Sequence, residues 1–157
     1  IANNNNFYFA CNERSTKGKD DILVSYWKGD KYLEPVSLSD SINTDGYEFN
    51  AFVAPDESYI IFTAYQREHG FGSGDLYISY KISDSTWTNA KNLGKEINSD
   101  KMDYCSFVDV KTNTLYFTSK RSEINNSDKG FSSLQDFFND MKKYENGLSR
   151  IYKTTFK

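Results

Sequence analysis

Four carboxylates stand at matched positions in this chain. Asp45 and Glu48 recur 55 residues later as Asp100 and Asp103. Each pair follows an Ile-Asn-Thr or Ile-Asn-Ser step, at 42–44 and 97–99. Gathered on one rim, such groups would bind a cation or a basic peptide, or give hydrogen bonds to a sugar. The plain alternative is a hydrated acidic rim. A second matched set is Asp21 and Asp75 with Arg14 and Arg67. These acids could line a cation or sugar site. The alternative is a fold device, in which each Asp accepts from backbone N–H groups of the preceding turn or pairs with its arginine. Phe71 and Trp27 lie in or near loops, and either could stack on a sugar ring or pack on a sheet edge.

Other chemistry has little support. His69 is the only histidine and sits in the loop Glu68-His69-Gly70-Phe71-Gly72. It cannot by itself supply a His-rich metal site, and no nucleophile is marked beside it. There is no Gly-x-Ser-x-Gly elbow. Gly70-Phe71-Gly72-Ser73-Gly74 joins two strand candidates with no helix behind it, so it lacks the dipole of a phosphate loop. Neither a metal nor a cofactor is expected. Cys11 and Cys105 have no metal-ligand spacing, and a whole repeat separates them, so no disulfide between them is expected.

The elements that must position these residues come from an internal repeat. Phe7-Tyr8-Phe9-Ala10-Cys11 aligns with Ile60-Ile61-Phe62-Thr63-Ala64 and with Leu115-Tyr116-Phe117-Thr118-Ser119. Asp21–Tyr26 aligns with Asp75–Tyr80, and more weakly with 150–154. Glu48–Val53 aligns with Asp103–Val108. A full unit of about 54 residues holds four strand candidates, at 48–53, 59–64, 75–80 and 87–93, with turn residues such as Pro55-Asp56 between them. The predicted fold is all-β: a partial β-propeller of about three four-stranded antiparallel blades, units 1–45, 46–100 and 101–157. The first unit lacks its first strand and the third its last. Upstream blades or a second copy are therefore expected to close the ring. In this architecture the first strand of a blade is innermost, which places the four carboxylates at the channel mouth.

The third unit carries an insertion. Leu134, Phe137, Phe138 and Met141 fall at helical spacing, with Ser132 and Gln135 as a capping box and Asn146-Gly147 as a stop. A short helix is predicted within 131–146, its apolar face docked on a rim of the third unit.

Composition narrows the partners. Of 157 residues, 17% are aromatic and 26% charged, with a net charge of −3. Aromatics favour strands. No basic stripe interleaves with them, which argues against nucleic acid, and no apolar run is long enough to insert in a membrane. A start at Ile1 is expected of a processed or excised piece.

Ala54-Pro55-Asp56-Glu57-Ser58-Tyr59-Ile60-Ile61-Phe62, then Gly74-Asp75-Leu76-Tyr77-Ile78-Ser79, Asn92-Leu93-Gly94 and Ile97-Asn98 resemble the TolB-like propeller repeat. The likeness is greatest to exported forms from Bacteroidetes-type bacteria and to their C-terminal portion. The third unit departs, with Asp109-Val110-Lys111 in place of the Pro-Asp turn. The resemblance implies a six- or seven-bladed ring and an extracytoplasmic, periplasmic or secreted location. It implies a non-catalytic scaffold that binds a protein, peptide or glycan at the channel mouth. The alternative is the C-terminal half of a propeller polysaccharide lyase or glycosidase, with catalytic residues upstream.

Overall fold

The computed structural model describes residues 1–12, 16–124 and 130–156, and among them the chain is all-β apart from one helix. The strands are β1 (Phe7–Cys11), β2 (Asp21–Ser25), β3 (Val36–Ser37), β4 (Tyr47–Val53), β5 (Tyr59–Tyr65) and β6 (Gly74–Ser83). They continue with β7 (Thr86–Trp87), β8 (Lys91–Asn92), β9 (Asp103–Asp109), β10 (Thr114–Ser119) and β11 (Arg150–Thr155). The helix is α1 (Leu134–Met141).

The strands form three antiparallel sheets in chain order. The first is β1-β2-β3, the second β4-β5-β6 followed by β7 and β8 on the same edge of β6, and the third β11-β10-β9. The predicted fourth strand at 87–93 is thus two short pieces. Its middle turns away at Thr88, whose hydroxyl caps the Tyr80 amide and whose carbonyl accepts from Ser79.

The repeat is literal at the level of register. Cys11 faces Asp21, Ala64 faces Asp75 and Ser119 faces Arg150. Both β4 and β9 carry a bulge against the next strand, with a left-handed residue at the matched positions Asn50 (φ 50°) and Cys105 (φ 51°). Two cores result. Ile22, Val24 and Ile42 pack against Ile60, Phe62 and Tyr77, joining the first sheet to the second. Ile61, Leu76 and Ile78 pack against Val108, Leu115 and Phe117, joining the second to the third. The middle sheet is therefore covered on both faces, which explains the near-continuous apolar character of β5 and the first half of β6.

The capping and docking expected of the insertion are corrected. The helix spans two turns, and its N-cap is Ser133, whose hydroxyl accepts from the Asp136 amide at 3.1 Å. Asp136, not Gln135, closes the box by accepting from both Ser132 and Ser133. Nor does the helix dock. Leu134 is 76% exposed and Phe138 53%, and α1 packs against none of the strands. Phe131, Phe137 and Phe138 stack edge-on with one another instead. Cys11 and Cys105 lie on β1 and β9, strands that make no contact.

Candidate functional site

Two of the four matched carboxylates are not at a surface at all. Glu48 and Asp103 are 0% exposed, each at the start of the strand that heads its sheet. A buried carboxylate must be paired and hydrogen-bonded, and both are, in the same way. Glu48 accepts from the Thr44 amide (2.9 Å), the Thr44 hydroxyl (2.6 Å) and Arg67 Nη2 (3.0 Å). Asp103 accepts from the Ser99 amide (2.6 Å), the Ser99 hydroxyl (2.7 Å) and Arg121 Nη2 (3.3 Å). Each arginine also donates to a carbonyl of the preceding loop, Ile42 and Ile97 respectively. Each lies over the rings of its own sheet: Arg67 over Tyr77 at 4.8 Å, Arg121 over Tyr152 at 4.4 Å. These carboxylates are consumed by the fold and are withdrawn as ligand-binding residues.

The neighbouring asparagines complete the device. Asn43 accepts from the Ile22 amide and donates to its carbonyl, while Asn98 does the same to Leu76. One loop thus clips the strand it has left and cradles the acid that opens the next sheet.

Asp21 and Asp75 both accept from backbone amides of the turn before their strand. Asp21 accepts from the Lys17 and Gly18 amides, and Asp75 from the Phe71 amide at 2.7 Å. The pairing of Arg67 with Asp75 is corrected, because Arg67 reaches Glu48 instead. Arg14 lies outside the described residues. Arg121, not singled out in the sequence, is the arginine that matches Arg67, and its spacing of 54 residues from Arg67 was the signal. Burial pushes the Asp75 carboxyl above the ordinary range, against the pull of the Phe71 and Gly72 amides. The Asn92 side chain pulls in the same downward direction as those amides.

Two clefts lie at opposite ends of the sheets. The larger cleft, about 720 Å³, sits where β4 and β9 begin. Phe49, Asn50, Met102 and Tyr104 form its body, and Asp100, Lys101 and Lys120 supply charge. Two lysines face one carboxylate, and Lys101 already holds Asp100 at 2.8 Å. Lys120 is exposed and has no ion-pair partner among the described residues. Of the four matched carboxylates only Asp100 lines this cleft; Asp45 is exposed outside its lining. Among the described residues the lining of this cleft carries two lysines and one aspartate.

The smaller cleft, about 430 Å³, is at the opposite end. Trp27, Tyr26, Asn4, Asn6, Lys28 and Asp84 line it above the ion pair of Glu57 and Lys81 at 2.5 Å. The Trp27 ring is held against Tyr32 at 4.9 Å, so one of its faces is already covered. Glu57 is buried in a left-handed conformation (φ 61°). Burial raises its pKa, but hydrogen bonds from Lys81, Asn6 and Tyr8 more than offset this and leave it below the usual carboxylate range. Phe71 is exposed and lines neither cleft, and His69 is exposed in its loop. Burial lifts the Cys105 thiol above the ordinary value, which disfavours the thiolate a nucleophile needs. Among the described residues no three His, Cys, Asp or Glu side chains are grouped to hold a metal. No family model matches this sequence, and neither a curated protein nor a solved structure matches it.

Proposed function

We propose that this chain is a binding and scaffolding module, part of a TolB-like β-propeller working outside the cytoplasm, and that its ligand carries carboxylate groups. The carrying observation is the charge of the larger cleft: Lys120, with no ion-pair partner among the described residues, lines it together with Lys101, and Asn50, Ser122 and Tyr104 add hydrogen-bonding and stacking groups. The two matched acids that could have made the rim acidic are spent inside the fold. A cation or basic peptide therefore loses its attraction, and an acidic peptide or a uronic-acid glycan gains one. The binding reading is supported by the way Glu48, Asp103, Arg67 and Arg121 are committed to one another inside the fold, which takes these four groups out of both clefts.

The test is calorimetric titration of the chain with a Glu/Asp-rich peptide, an oligouronide, an oligolysine peptide and Ca²⁺. One of the two acidic ligands should bind. Lys101→Ala/Lys120→Ala should weaken it by about tenfold or more, the loss of two charge contacts. Tighter binding of oligolysine or Ca²⁺ would reject this reading.

A further inference from the structure

The smaller cleft lies between the first two sheets, and its lining differs from that of the larger one. Tyr26 and Trp27 come from the loop between β2 and β3, Glu57 from the turn between β4 and β5, and Lys81 from β6. Its charges balance, Lys28 and Lys81 against Glu57 and Asp84. The floor has fixed polar geometry. Glu57 Oε1 accepts from Asn6 Nδ2 and from the Tyr8 hydroxyl, both at 2.8 Å, and Oε2 accepts from Lys81 Nζ. Asn6 Oδ1 in turn accepts from the Trp27 amide at 3.0 Å, which ties the aromatic wall to the ion pair.

Two features of Glu57 are not what folding alone selects. Its left-handed backbone (φ 61°) suits Asn or Gly, and the corresponding turn of the third sheet meets that need with Asn113 (φ 49°). A buried ion pair, moreover, adds little stability that apolar packing would not give. Both point to the side chain itself. Among the described residues Lys81 Nζ donates to Glu57 alone, which leaves two of its three protons, and Oε2 keeps a free lone pair beside them. An acceptor and a donor thus stand side by side under an aromatic wall.

We infer that this cleft is a second binding site, for a neutral sugar. Neighbouring hydroxyls of a pyranose both donate and accept. One can donate to Glu57 Oε2 while the next accepts from Lys81 Nζ, and the apolar C–H face of the ring can lie on Trp27 or Tyr26. A volume of about 430 Å³ is that of a small-ligand site. An acidic sugar gains nothing here, because the lining has no net charge and the Glu57 carboxylate repels its own kind.

The test is a ¹⁵N-resolved NMR titration of the whole chain with cellotetraose, mannotetraose and chitotetraose. At least one should give saturable shifts centred on the Trp27 indole, the Asn6 side-chain amide and Lys81. Trp27→Ala should weaken that binding by about tenfold or more, and Trp27→Phe, which keeps an aromatic face, should retain most of it. Absence of shifts at these residues with all three sugars would overturn the inference. So would a Trp27→Ala variant that keeps a dispersed spectrum and binds as tightly as the wild type, or an oligouronide held at Trp27 as tightly as the neutral sugar. Lys101→Ala/Lys120→Ala should leave neutral-sugar binding unchanged, so failure here is separable from failure of the carboxylate-ligand reading.

Discussion

A guanidinium that leaves the end of a strand and folds back over its own sheet can neutralise a buried acid, tie down a loop carbonyl and cover an aromatic ring together. Arg67 and Arg121 each do all three. Arg67→Ala strands the Glu48 carboxylate in the interior, and removal of one partner of a buried pair costs about 3–5 kcal/mol. Urea denaturation should show that loss, while Lys17→Ala, which breaks the exposed pair with Asp40, should leave the unfolding midpoint unchanged within error. Two other carboxyls should give opposite pH signatures. Glu57 is depressed, so its contribution is present above its unfolded value of 4.5 and is lost as pH falls through the lower folded value. Asp75 is raised, so its contribution is complete below its unfolded value of 3.8 and is lost as pH rises through the folded one. In thermal melts from pH 3 to 8, Glu57→Gln should therefore be most damaging at neutral pH. Asp75→Asn should gain on the wild type as pH rises.

Strand elements were legible wherever both ends carried turn residues. Tyr59–Tyr65 is bounded by Pro55-Asp56-Glu57-Ser58 and by the glycine loop, and it forms as expected. The stretch 87–93 reads as one strand, but Thr88 spends its hydroxyl and carbonyl on β6 and breaks it in two. Spacing likewise places Leu134, Phe137, Phe138 and Met141 on one side of a helix, but helical periodicity says nothing about what lies opposite. Among the described residues no strand packs against it, and none of the helix residues is buried. Phe138→Asp should accordingly change the unfolding free energy by no more than about 0.5 kcal/mol, as for other surface substitutions. A loss of 2 kcal/mol or more in chemical denaturation would mean that the face is covered in solution.

At the scale of the molecule, the repeat carried the information on both fold and site, and it cut both ways. Glu48 and Asp103 recur because each anchors the first strand of its sheet, the second and the third, so the regularity that drew attention to them reflected architecture rather than ligand. Burial is not visible in a one-dimensional pattern, since Asp45 and Asp100 recur at the same offset and are exposed. The cleft residues Lys101, Lys120 and Tyr104 left no such trace, for they converge from separate segments only after β9 and β10 pair. In the proposed function, ligand enters where β4 and β9 begin and its carboxylates meet these lysines. A ¹⁵N-resolved NMR titration of the chain with an oligouronide and with a Glu/Asp-rich peptide tests it most directly. For at least one of them, the account expects saturable shifts centred on Asn50, Lys101, Tyr104 and Lys120, with Trp27 and Lys81 unmoved. Shifts centred on Trp27, Asn6 and Lys81 at the opposite end, or none with either ligand, would contradict it.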